Sequence, residues 1–236
     1  MSSDAFENHP LTAKDGQKML ESYVKKTTDS VCKLVDDNEL SIDILAYAMQ
    51  QFMSSLLALP KDVVCEQGCA YCCHLRVGVS IPEALVIFNE LSLKAPPAFF
   101  ETIKKRVAEL EKSGDTLDDA WWHTTRTACP FLEKQAQSIC GIYNLRPMSC
   151  RAYHSTLVEA CREGYEKGCE TKIPCFPLFR SMTNMYSTAF IRAMDEKGLH
   201  SYQVGFCASL NILFSDDTAA KRWLKGDDVF LAAKLL

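Results

Sequence analysis

Apolar residues recur at helical spacing along most of the chain. From Gln17, "QKMLESYVKKTTDSVCKLV" places Met19, Tyr23, Val24, Val31 and Val35 near one helical repeat. A richer helix is expected over 42–59, stopped by Pro60, whose ring and missing N–H bar continuation. Ser80, with Glu83 three positions on, has the spacing of a capping box and opens "EALVIFNELSL". After Pro96-Pro97, "AFFETIKKRVAELEK" gives an amphipathic helix that ends near Gly114. The stretch 178–197, "LFRSMTNMYSTAFIRAMDEK", reads as helix up to Gly198, and two shorter helices are expected in "SYQVGFCASLNILF" and "DTAAKRWLKG". Strands are expected only as short pieces around 77–79 and 152–157.

The pattern therefore predicts a mainly α protein: a helical domain around an irregular cysteine-rich metal-binding centre, with few or no short strands. Its divisions are N-terminal helices over 1–60, a cysteine-cluster core over 61–176, and a C-terminal helical extension over 177–236 packed on that core as one compact unit.

Composition narrows the function. The chain has 236 residues, 47% hydrophobic and 24% charged, enough to bury a core without a metal or disulfide. A net charge of −4 leaves no basic footprint, so no nucleic-acid partner is expected. The opening "MSSDAFENHPLTAKDGQK" has no apolar signal region, and no run approaches the roughly 18 to 20 apolar residues of a membrane span. A soluble, cytoplasmic protein is the expectation. The anomaly is 12 cysteines. In a reducing compartment, clustered thiols read as metal-binding or catalytic rather than as disulfides.

Four of them fall within "CEQGCAYCCH", residues 65–74. On a helix Cys65, Cys69 and Cys72 would share one face; a tight turn at Gly68 would converge the same thiols differently. Either way three sulfurs can meet on one ion or cluster, and Cys73 joins them only if the backbone turns. Thiolates are the preferred ligands of zinc and of iron–sulfur clusters. A second group, Cys129, Cys140 and Cys150, lies in "CPFLEKQAQSICGIYNLRPMSCRAYHS". These are too far apart for one local turn, so only a tertiary fold can join them. Pro130 and Pro147 stiffen the stretch and disfavour helix just before them. Cys161 is a candidate eighth ligand, Cys169 and Cys175 are read as lying outside the set, and Cys32 and Cys207 as core thiols on helix faces.

Arg76, Arg146 and Arg151 flank the cysteines. They could offset the negative charge that four thiolates leave on a divalent ion, or bind the carboxylate of an anionic substrate or cofactor. His74 is a candidate nitrogen ligand or outer donor, ahead of His123 and His154. Tyr143 and Tyr153 are candidate donors to sulfur, and Trp121 and Trp122 candidate anchors. Cys65, Cys69, Tyr71 and Cys72 also fit the C-x-x-x-C-x-aromatic-C motif of radical S-adenosylmethionine enzymes. The strand–helix alternation of such enzymes is missing, and Cys73 and the second block go unexplained by it. There is no G-x-S-x-G elbow, Walker loop or G-x-G-x-x-G.

"CEQGCAYCC", "CPFL" and "CGIYNLRPMSCR" together resemble the YkgJ-type cysteine-cluster (CxxCxxCC) family, described as a zinc- or iron-chelating domain, over residues 65–157. The tail "RWLKGDDVF" resembles the C-terminal extension of longer members. The resemblance implies a metal centre and carries the ligand role to Cys65, Cys69, Cys72, Cys73, Cys129, Cys140 and Cys150. A flagellin lysine methylase is similar in its cysteine cluster, so no single activity is implied. The expected protein holds an iron–sulfur cluster (4Fe-4S) or zinc in a structural, metal-handling or redox role, with an unidentified protein or small-molecule partner. The alternative is an iron–sulfur enzyme that modifies a protein or small molecule, with S-adenosylmethionine as a further cofactor. Seven thiolates exceed the four of a tetrahedral zinc or of one cubane cluster. Eight would match two four-cysteine sites, and six could hold two metals through shared sulfurs. Spacing does not choose among these.

Overall fold

Val24, Val31, Cys32 and Val35 line the buried side of the first helix, α1, which spans Ala13–Asp36. The computed structural model describes residues 13–53, 62–112, 127–134, 138–167 and 172–235. Helix α1 packs along a later helix, α7, spanning Pro177–Glu196. The Thr28 hydroxyl donates to the Ala189 carbonyl at 3.3 Å, and Lys197 reaches Asp36 at 2.5 Å. Helix α2 is Ile42–Met53, and the rest of the helix expected over 42–59 lies outside the described residues.

Ser80 caps α3, Ile81–Lys94, accepting the Glu83 amide at 3.4 Å, with Pro82 in the first turn. Helix α4, Pro97–Lys112, packs against α8, Phe206–Ser215. Phe214 of α8 meets Phe88 and Phe100 edge-on, each at 5.2 Å. Three short helices complete the set among the described residues: α5 Met148–Ala152, α6 Val158–Lys167 and α9 Ala219–Leu224. One continuous core joins N-terminal, central and C-terminal segments through Leu45, Leu85, Ile103, Phe131, Phe190, Leu210 and Trp223. Trp223 is fully buried and its indole donates to the His200 carbonyl at 2.7 Å.

The protein is mainly α, with two small two-stranded antiparallel sheets among the described residues. Strand β1, Gly78–Ser80, pairs with β4, Gln203–Gly205, in the register Val79↔Val204. Strand β2, Leu132–Lys134, pairs with β3, Ser138–Cys140, in the register Leu132↔Cys140.

Three local expectations change. The stretch 152–157 forms no strand: α5 ends at Ala152, and the residues beyond make isolated long-range bonds, Val64 N–H to the Ser155 carbonyl and Thr156 N–H to that of Pro174, each at 3.0 Å. The segment read as a helix from Ser201 begins instead with β4, because Gln203–Gly205 meets the edge of β1 from far away in sequence. The β2–β3 hairpin was not expected either. Its strands are three residues long, too short to show alternation.

Candidate metal centre

The first cysteine block enters as a turn. Gly68 adopts φ +105°, a left-handed conformation that glycine takes without penalty, and the Cys69 amide donates to the Glu66 carbonyl at 3.1 Å. Of the two geometries open to Cys65 and Cys69, the turn is the one adopted. A single 3₁₀ turn over Tyr71–His74 then carries Cys72 and Cys73. Cys65 is held from the other side, its sulfur accepting the Ser155 amide at 3.4 Å.

The second block is fastened to the first by main chain. The Cys129 amide donates to the Cys73 carbonyl at 2.7 Å, the Leu132 amide to Cys129 at 2.9 Å, and the Gly141 amide to Phe131 at 2.8 Å. The hairpin thereby returns Cys140 beside Cys129. Arg106 of α4 braces it, donating to the Pro130 carbonyl at 3.1 Å and to Glu133 at 2.6 Å. Cys150 sits on α5, whose start is tied down twice: the Met148 amide donates to the Glu83 carboxylate at 2.6 Å, and the Ser149 hydroxyl donates to the Gly78 carbonyl.

These supports bring six of the seven carried-over cysteines to one cavity of about 680 Å³: Cys69, Cys72, Cys73, Cys129, Cys140 and Cys150. Cys65 stands just behind, close enough for its charge to act on Cys69. Cys72 is the meeting point, since its charge is felt by Cys65 and Cys69 on one side and by Cys129, Cys140 and Cys150 on the other. Cys161, on α6, lies with the first side near Cys65 and Cys69. Among the described residues no three His, Cys, Asp or Glu side chains are grouped so as to hold one metal ion as they stand.

Burial raises Cys65, Cys69 and Cys140 above the ordinary thiol value. Burial pushes Cys129 up to about 12 and Cys150 well above its usual value. Cys72 is raised by its hydrogen bond with Cys73 and then by burial. Arg146 opposes these shifts at Cys65, Cys72, Cys140 and Cys150, so its guanidinium faces the cluster of sulfurs. It lies over the Tyr143 ring at 3.7 Å while its Nε donates to the Tyr143 carbonyl at 3.0 Å.

The three arginines separate. Arg76 and Arg146 line the cavity, whereas Arg151 does not: its guanidinium donates to the carbonyls of Arg146 at 3.0 Å and Asn144 at 2.6 Å, bracing the loop beneath. His154 is 3% exposed and has both ring nitrogens engaged: Nδ1 is 2.9 Å from the Ala152 carbonyl and Nε2 accepts the Phe176 amide at 2.8 Å. That arrangement makes it a neutral structural tie. His74 sets Nδ1 3.2 Å from the Ala70 carbonyl and its ring 4.7 Å from that of Tyr165 on α6. Tyr143 and Tyr153 both line the cavity. Cys32 is buried, its sulfur 3.4 Å from Glu196, and Cys207 borders a separate small cavity of about 40 Å³ beside Cys129. Trp121, Trp122, His123 and Cys169 lie outside the described residues.

The remaining wall is one that sequence reasoning missed. Arg180, Asn184, Ser187, Thr188 and Ile191 of α7 all line the cavity. Positions i, i+4, i+7, i+8 and i+11 form one helical face, while Ala189 and Ala193 are buried on the opposite side of the helix. The signal was the helical spacing of the polar residues Arg180, Asn184, Ser187 and Thr188.

Residues 64–172 match the model of the CxxCxxCC family, described as "Putative zinc- or iron-chelating domain", and this matched segment supplies every cysteine of the cavity. No curated protein matches the chain. No solved structure matches it either. Among the described residues no helix is long and apolar enough to cross a membrane.

Proposed function

We propose that this cavity holds a polynuclear, cysteine-ligated metal centre, an iron–sulfur cluster ahead of zinc, and that the centre faces a ligand. The observation that carries the reading is the donor set. Six thiols from two distant blocks line one cavity, more than the four that a tetrahedral zinc takes. The donors are sulfur alone: no His, Asp or Glu is among the lining residues described. The residues present therefore fit a thiolate-bound centre, with Cys65, Cys69, Cys72, Cys73, Cys129, Cys140 and Cys150 as its holders. When bound, an iron–sulfur cluster would supply one-electron redox chemistry or an open iron site. The chain's own part is to orient seven sulfurs, to shield them with Phe131, Ile142 and Phe206, and to offset their charge through Arg146.

The alternative of an enzyme acting on a small molecule gains support from the same cavity. A volume of about 680 Å³ lies within the range of small-molecule sites, and one wall belongs to α7, outside the matched segment. A closed structural site has no need of that space.

The test is metal and acid-labile sulfide per chain, with the visible spectrum, on protein purified without oxygen. About four iron and four sulfide with broad absorption near 400 nm supports the cluster. Colourless protein with zinc and no sulfide overturns the iron–sulfur reading and leaves a zinc module.

A further inference from the structure

The cavity has an electrostatic imbalance that the thiols do not fully explain. Arg76, Arg146 and Arg180 line it, and no Asp or Glu does among the described residues. Arg146 is turned toward the sulfurs and is accounted for by them. Arg180 is not. Its guanidinium lies 5.2 Å from the centroid of the Tyr153 ring, and none of the described ion pairs involves it. A cation–π contact of this kind uses none of the guanidinium's N–H donors and leaves them for a ligand.

A second observation on the same helix face points to a ligand. The Ser187 hydroxyl is buried and makes no hydrogen bond, although Ser187 lines the cavity. A buried hydroxyl without a partner carries a desolvation cost that a bound polar group would recover. Seven residues at 1.5 Å rise put Ser187 roughly 10 Å along the helix from Arg180, with Asn184 between them. One polar stripe thus offers a cation at one end and an unsatisfied hydroxyl at the other.

From this we infer that α7 reads a small molecule bearing an anionic oxygen group, carboxylate or phosphate, seated on Arg180, with a hydrogen-bonding group reaching Ser187. The inference rests on the reading of the cavity as a ligand-facing metal centre and supplies the ligand's chemical class. The ligand is recognised by a helix beyond the matched domain, so the metal-binding segment and the specificity-determining segment are separate parts of the chain.

The experiment is equilibrium dialysis of labelled inorganic phosphate and, separately, labelled acetate against the metal-loaded full chain at constant ionic strength. The expected result is saturable binding near one per chain for at least one anion. The preferred anion identifies the ligand's group. Arg180→Gln should weaken that binding about tenfold or more, the scale of a lost charge-assisted hydrogen bond. Arg180 is exposed, so metal and sulfide content should stay at the native level in that variant. Arg162→Gln, on the exposed side of α6, should bind as the native chain does. No saturable binding by fully loaded protein, unchanged affinity in Arg180→Gln, or an equal loss in Arg162→Gln overturns the inference. Protein that carries no metal yet binds anion through Arg180 would instead overturn the metal reading and leave this one standing.

Discussion

The Cys129 amide donates to the Cys73 carbonyl at 2.7 Å, a main-chain bond that joins the two cysteine blocks directly. Everything proposed for the centre depends on that convergence, because neither block alone supplies the cavity's thiols. With Cys72 at the meeting point, Cys72→Ser should deplete metal more than any single change in the second block. The loss should exceed the 10–100-fold that removing an outer partner of a ligand typically costs. Cys140→Ser should also lower the content, whereas Cys32→Ser, buried beside Glu196 on the far helix, should keep it. Metal analysis of the three purified variants checks this, and full content in Cys72→Ser would remove it from the ligand set.

Gly68 holds the turn between Cys65 and Cys69 at φ +105°. An alanine there adopts the left-handed region at about 1–2 kcal/mol. Gly68→Ala should therefore lose metal faster to a chelator while retaining native helix content. Circular dichroism together with timed chelation separates the two effects. Equal chelation rates would show that the turn does not position the thiols.

Glu83 is 5% exposed, and burial pushes its carboxyl up to about 7 against the pull of the Met148 and Ser80 amides and of Arg151. One carboxylate oxygen accepts from Met148 and the other has no partner. Because the folded-state value lies above the ordinary 4.5, the protonated form is favoured on folding. The stability it contributes is complete below about 4.5 and is lost as pH rises through about 7. Glu83→Gln keeps an acceptor for Met148 and removes the ionisation. Its stability relative to the native chain should rise between pH 5 and pH 8 by on the order of 3 kcal/mol, at 1.36 kcal/mol per pKa unit. Urea midpoints at the two pH values measure it, and a flat difference would refute the account.

Metal binding must displace protons from thiols that burial has made reluctant to ionise, Cys129, pushed up to about 12, and Cys150 among them. Metal retention against a competing chelator should thus weaken as pH falls from 8 to 6. Arg146 favours the ionised forms of Cys65, Cys72, Cys140 and Cys150, so Arg146→Gln should shift the retention curve to higher pH. A curve that stays in place would mean that Arg146 does not compensate the sulfurs.

Much of this architecture was legible without coordinates. Helical periodicity located α1, α3, α4 and α7 because a helix repeats its buried face every 3.6 residues within its own sequence. The Ser80–Glu83 spacing marked the start of α3, and density of cysteine marked the centre. Strand β4 and the β2–β3 hairpin were not legible, since three residues carry no measurable period and their partners are set by distant packing.

The site divided the same way. That cysteines gather in two blocks was readable from residue type and spacing, which are local properties; the link between the blocks came from the resemblance, and one family model matches across both. Arg151 adjoins Cys150 in sequence and Arg146 is four residues from it, yet of the two only Arg146 reaches the cavity, because α5 turns Arg151 back onto the carbonyls of Asn144 and Arg146. Nothing in the sequence singled out Arg180 and Ser187; the packing of α7 against α5 brings them to the cavity that the cysteines line. Chemistry that resides in a residue's own side chain can be read along the chain. Which side chains share a space is decided by burial of the helices' apolar faces, and that exists only in three dimensions.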